Sequence, residues 1–201
     1  MKAILLMVGK TTDKHFAAGI QDYSSRIGHY LPFELVVIPE LKATKNLSEE
    51  QQKQQEGELI LKQLQGGDHV VLLDEHGRSL RSVEFARWME QKQQSVRRLV
   101  FVIGGPYGFS PAVYDRCNEK ISLSPMTFSH QMVRLVFTEQ LYRACAIIKG
   151  EPYHHQQDEN GIYRDSRSPG QQPERHQRED SPRPVHHHLR CERVGQIIAG
   201  F

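Results

Sequence analysis

Cysteine is scarce: Cys117, Cys145 and Cys191 are odd in number, far apart and never in a C-x-x-C pair. That spacing argues against a disulfide framework or a zinc ribbon and fits a reducing compartment. No apolar run approaches the roughly 18 residues that a membrane span needs, and the opening MKAILLMVGK becomes charged too soon for a signal peptide. A soluble, cytoplasmic protein without a membrane partner is expected. Net charge is also small, since 26 Lys and Arg against 24 Asp and Glu leave +2. This is too little to coat nucleic acid by phosphate neutralisation alone, although it is compatible with a local basic face that docks on RNA. The glycines of IGGPYGFSP do not give G-x-G-x-x-G and no G-K-[ST] follows them, so neither the dinucleotide nor the full P-loop fingerprint is present there.

What the chain does contain is a regular alternation. Apolar, β-rich runs begin at Ala3 (AILLMVG), Phe33 (FELVVIP), His69 (HVVLLDE), Arg98 (RLVFVIGG) and Lys120 (KISLS), and segments of helical composition cover 12–29, 47–65, 79–94, 110–117 and 129–148. Strands alternating with helices predict an α/β fold with a parallel sheet covered on both faces. Ser48 ahead of a polar, glutamine-rich stretch and Pro111 after Ser110 mark helix starts, and Gly66-Gly67 marks a helix end. The 48–65 helix reads as a solvated face with Leu59, Leu61 and Leu64 turned inward.

Composition changes after Gln156. Residues 157–201 hold seven Arg and no Lys, where the preceding chain has nine Arg and ten Lys, and they carry four prolines and little periodic apolar pattern. Such a stretch cannot build a core. The expected organisation is one domain over 1–156 and a disordered extension over 157–201.

Three irregular loops follow the later strands: LLDEHGRS, VIGGPYGFSP and SLSPMTFSH. The carboxyl edge of an open α/β sheet is where loops converge and helix N-termini offer amide donors, so these loops form the candidate site. Gly104, Gly105 and Pro106 allow close backbone approach to a flat ligand. The stretch from Leu123 to Phe128 leaves main-chain N–H and C=O groups outside regular structure, suited to reading an adenine edge. Ser129 or Thr127 caps the last helix, on which His130 and Arg134 lie a turn apart, as do Glu139 and Arg143. Taken alone, His130 is a cap-adjacent structural histidine, and Glu139 with Arg143 is a helix-surface ion pair.

IGGPYGFSP, LSPMTFSHQMVRLVFTEQLYRA and EPYHH, in this order and spacing, resemble the ribosomal RNA large subunit methyltransferase H family of the SPOUT superfamily. The resemblance spans 1–156. It implies a deep trefoil knot on the C-terminal side, which no pattern argument proposes because true knots are so rare. It also implies a homodimer and S-adenosylmethionine-dependent N3-methylation of a pseudouridine in 23S rRNA within the large subunit or the whole ribosome. The cofactor pocket it implies comprises Leu73, Gly104, Gly105, Leu123, Ser124, Pro125, Met126, Thr127 and Phe128. The helix carrying His130, Arg134, Glu139 and Arg143 packs at the dimer interface in such proteins, and Tyr153 and His154 match a short flap over cofactor and base.

Methyl transfer from a sulfonium to a base nitrogen is an in-line displacement that demands alignment and exclusion of water. Because the sulfonium charge is lost in the transition state, the apolar Leu73, Met126 and Phe128 suit the pocket. The expected catalytic set is His154 as general base or orienter, Arg143 to stabilise charge on the base carbonyl, and Tyr153 beside them. No metal is expected, since His154, His155, His186, His187, His188 and Cys191 are irregularly spaced. The competing expectations are a ribosome-binding or assembly factor whose catalysis the extension impairs, and a generic nucleotide-binding α/β enzyme.

Overall fold

A computed structural model describes residues 1–41 and 47–151. Tyr153, His154, the boundary at Gln156 and the 157–201 extension lie outside the described residues. Strands and helices alternate as β1 (Lys2–Val8), α1 (Lys14–Ile27), β2 (Phe33–Ile38), α2 (Glu49–Gln63) and β3 (His69–Ser79), followed by α3 (Ser82–Ser95), β4 (Arg98–Ile103), α4 (Pro111–Arg116), β5 (Glu119–Ser122) and α5 (Met132–Ile148). Every strand pairing is parallel, in the order β2-β1-β4-β3-β5. This is the parallel α/β sheet that the alternation predicts, five strands with helices between them.

Interior strands carry the uninterrupted apolar runs because they are covered twice. Leu5, Val71 and Phe101 pack with Ile27, Phe85, Met89, Phe137 and Leu141 from α1, α3 and α5 on one face. Ile4, Leu6, Leu72 and Val102 pack with Ile60 of α2 and Val113 of α4 on the other. Burying one such side chain contributes on the order of 2 kcal/mol, so the doubly covered β1 and β4 hold the sheet together.

Two segments depart from the expectations. LLDEHGRS is not simply a loop: Leu73 and Arg78 both pair with Ile121, so β3 leaves the sheet after Leu73 and rejoins it five residues later. Gly77 permits the return, since a Cβ there would sit 2.6 Å from the Ile121 backbone. In α2 the residues buried most deeply are Glu56, Gly57 and Ile60, and Leu59, Leu61 and Leu64 only pack at the margin. The Ser48 cap forms as expected, its hydroxyl accepting from Gln51 N at 3.2 Å while Gln51 Oε1 accepts from Ser48 N at 3.0 Å.

Arg134 requires a larger correction. Expected on a dimer-facing surface, its side chain is wholly inside the protein. It donates to Val8 O at 2.5 Å, to Gly9 O at 3.0 Å and to Thr11 Oγ1 at 3.0 Å. The carbonyls at the end of β1 have no further strand to pair with, and the guanidinium fork supplies the missing donors while docking α5 against that strand end. Burial pulls the Arg134 pKa below its ordinary value, and the Glu40 carboxylate opposes that shift.

The opposite edge is fastened by Glu119 of β5, which accepts from Trp88 Nε1 at 2.9 Å, bonds His69 Nε2 at 2.8 Å and pairs with Lys92. Burial pushes the Glu119 carboxyl up, but the bonds from Lys92, Trp88 and His69 outweigh it and hold the group below the usual carboxylate range. A carboxyl with a depressed folded pKa stabilises the fold above its unfolded value, and that contribution disappears as pH falls through the folded value. Glu119→Gln should therefore lose about 1 kcal/mol at pH 7, a deficit in urea unfolding that shrinks below pH 4.5, the group's ordinary value. Arg134→Met, which strands two buried carbonyls, should lose about 3 kcal/mol in the same assay with an unchanged denaturant slope.

Candidate active site

Beyond the carboxyl ends of β3, β4 and β5 lies a cavity of about 820 Å³, where loops of neighbouring strands converge. Of the expected pocket residues, Leu73, Gly104, Gly105, Leu123, Ser124, Met126, Thr127 and Phe128 line it together. Pro125 sits within the same loop without lining the cavity. The lining joins residues 50 apart in sequence, Leu73 and Leu123, because β5 pairs directly with β3.

The 123–128 loop is shaped by its own hydroxyls. Ser122 Oγ donates to Ser124 O at 3.1 Å, and Ser124 Oγ accepts from Met126 N at 2.9 Å. Ser129 Oγ accepts from Met132 N at 3.2 Å, so the expected hydroxyl caps the helix entrance although α5 begins at Met132. Met126 is 77% exposed, and Phe128 and Tyr107 add further exposed apolar surface at the mouth. His130 is exposed and also lines a neighbouring cavity of about 390 Å³ with Thr12, Asp13 and Phe16.

Arg143 does not line either of these cavities. It donates to Glu139 Oε1 at 2.5 Å, the expected pair along the helix. Of the two cysteines among the described residues neither is a reactive thiolate: burial pushes Cys145 up to about 12 and also raises Cys117. Among the described residues no cluster of His, Cys, Asp or Glu is arranged to hold a metal ion.

Sequence reasoning missed three residues of this region. Asp74, at the start of the β3 excursion, accepts from Tyr114 Oη at 2.5 Å and from His76 N at 2.8 Å. Burial raises the Asp74 carboxyl, but those bonds and the His76 ring together hold it below its ordinary value. Tyr114 is raised, first by burial and then by the Asp74 bond. The third is Glu56, buried behind Gly105 with Oε1 accepting from Gln52 Nε2 at 2.9 Å and Oε2 unpartnered. Only Asp74 carried a signal, its place directly after Leu73 at a strand end.

A family model described as "Predicted SPOUT methyltransferase" matches residues 1–154. A Phocaeicola vulgatus protein named Ribosomal RNA large subunit methyltransferase H is 63% identical over 157 residues, which are 78% of this chain and 100% of the relative. Proteins with that name from Bacteroides fragilis and Porphyromonas gingivalis are 62% and 54% identical over the same shares.

Asp74→Asn should lower the Tyr114 pKa part of the way toward the ordinary value of 10.0, because burial, the larger cause, remains. Alkaline titration of phenolate absorbance, with Tyr114→Phe identifying the signal, measures the shift.

Proposed function

Since the chain belongs to the SPOUT methyltransferase family and matches its ribosomal RNA large subunit methyltransferase H members over their whole length, we propose that it methylates N3 of a pseudouridine in 23S rRNA. The methyl donor is S-adenosylmethionine, the working form a homodimer, the substrate an assembled ribosome and the compartment the cytoplasm. The observation that supports this best is the convergence of Leu73, Gly104, Gly105 and the 123–128 loop on one cavity at the carboxyl edge of the sheet.

The residues present fit such a cofactor. Leu73, Ile103, Leu123, Met126 and Phe128 offer apolar surface, the 123–128 backbone offers polar groups outside regular structure, and the paired glycines remove side chains from the wall. Leu73 and the 123–128 loop would hold the adenine, and Gly104 with Gly105 the ribose and methionine portion. When bound, the cofactor would supply an electrophilic methyl carbon attached to a sulfonium whose leaving group is a neutral thioether.

The chain's own task is alignment, exclusion of water and removal of the N3 proton. His154 takes or orients that proton, Tyr153 closes over the base, and Arg143, brought from the partner's helix α5, faces the charge developing on the base carbonyl. The exposed Met126, Phe128 and Tyr107 give the cavity mouth an apolar rim of the kind a flap or second subunit covers. Glu49, Glu50, Asp74 and Glu75 at the cavity, with Lys53 as the one Lys or Arg lining it among the described residues, suit a cationic small molecule better than an RNA backbone. The rRNA therefore presents its base to the cavity while its phosphates dock elsewhere. The methyltransferase domain ends near Gln156, in keeping with the family match over 1–154, and 157–201 is an appended extension.

Tritiated methyl transfer from S-adenosylmethionine to ribosomes tests this reading. The full chain or a chain stopped after Gln156 should label 23S rRNA at a pseudouridine, and His154→Ala should lower kcat about 100-fold and flatten the pH profile. Labelling by the shortened chain alone would assign the full chain to the assembly-factor class. Absence of labelling with both chains would refute the reading.

A further inference from the structure

Glu56 is an anomaly in α2. The inner face of the helix otherwise buries Gly57 and Ile60, yet beside them this carboxyl is 96% buried, as its 4% exposure records, and Oε2 has no hydrogen-bond partner. Leaving a carboxyl oxygen unpaired away from water is costly, and an apolar side chain would fill the same space without that cost. The carboxyl lies directly against Gly105: a Cβ on that glycine would overlap Oε2 and stand 2.9 Å from Cδ. Gly105 is itself cavity wall. One backbone layer without a side chain therefore separates the carboxyl from the ligand space.

The groups around Glu56 define its electrostatic setting. Gln52, one turn earlier on α2, donates to Oε1. Glu40, beyond β2, opposes ionisation, while His130, ahead of α5, favours it. The neighbouring contact of α2 with the start of α4, Gly57 against Ser110 and Val113, brings no charge. Burial is the largest influence and raises the carboxyl above its ordinary value. Of the charged groups among the described residues that act on it, only His130 favours ionisation, and burial outweighs it, so a cation entering the cavity would add countercharge.

We propose that Glu56, acting through the bare Gly105 backbone, is a specificity-determining residue that makes the cavity favour a cationic sulfonium ligand over its neutral thioether counterpart. This rests on the S-adenosylmethionine reading above. It gives the site a means of releasing its product: the two ligands differ at the sulfur, where methyl transfer removes the charge. Arrival of the cation draws Glu56 to its ionised form and expels a proton at pH values above the ordinary carboxylate range. Arrival of the thioether does not.

Isothermal titration of S-adenosylmethionine and S-adenosylhomocysteine into the full chain, in buffers of differing ionisation enthalpy, tests this. The two ligands share the same carboxyl group, and at about pH 6, where both α-amino groups remain protonated, their difference isolates the sulfur. Glu56→Gln should weaken the sulfonium ligand about three- to tenfold, the scale of one charge acting across a few ångströms of protein, change the thioether less than twofold, and abolish the difference in proton release. Equal weakening of both ligands, no change in either, or proton release that survives Glu56→Gln but vanishes in His130→Asn would each overturn the proposal. If Glu56→Gln does not fold, the wild-type comparison decides: greater proton release with the sulfonium supports the proposal, and equal release overturns it. A wild-type chain that binds neither ligand would sink the cofactor reading beneath it, whereas one that binds both without the Glu56 effect sinks this proposal alone.

Discussion

The buried fork of Arg134 is the interaction on which the arrangement of the functional end depends. The outermost carbonyls of β1 point past the sheet, and a charged side chain from the last helix reaches back more than 120 residues to cap them. Only a planar, multi-donor group can serve Val8, Gly9 and Thr11 at once. Because α5 is tied there at its first turn, the residues just before it are fixed as well, and these are the 123–130 residues that build the cavity's mouth. A guanidinium so placed is expensive to desolvate, and Glu40 compensates only in part.

From that anchor the site follows in layers. The loop after β5 supplies apolar contacts and free backbone groups, the glycines after β4 thin the wall, and the β3 excursion places Asp74 and Tyr114 as a bonded pair on the rim. Helix α2 closes the rear by pressing Glu56 on Gly105 and Gly57 on Ser110. The carboxylates and thin glycine wall are what the proposed cationic methyl donor would meet, and the exposed apolar mouth is what a covering partner would meet.

The sheet was legible because doubly covered strands cannot be polar: AILLMVG and LVFVIGG each announce themselves by the absence of alternation. The cavity residues were legible through motif resemblance and through the rule that ligands gather at the carboxyl edge. Arg134 and Glu56 were not, since a charged residue on a helix is ordinarily solvated and nothing local reveals that its partners lie on another element. The excursion of β3 escaped for the same reason: that both Leu73 and Arg78 meet Ile121 is a fact about pairing across 43 residues and more. The Arg143 and Glu139 pair was read correctly from its spacing, because an interaction within one helix is local.

The anchoring of β5 by Trp88 gives the molecule an optical property. Trp88 is the sole tryptophan of the chain, and its indole is packed against Phe85 and Phe101 while its N–H is held by Glu119 at the sheet edge. Tryptophan emission therefore comes from one environment and reports the integrity of the α3–β5 seam. The ring does not line the ligand cavity, so emission that shifts when a ligand binds would mean the seam itself had moved.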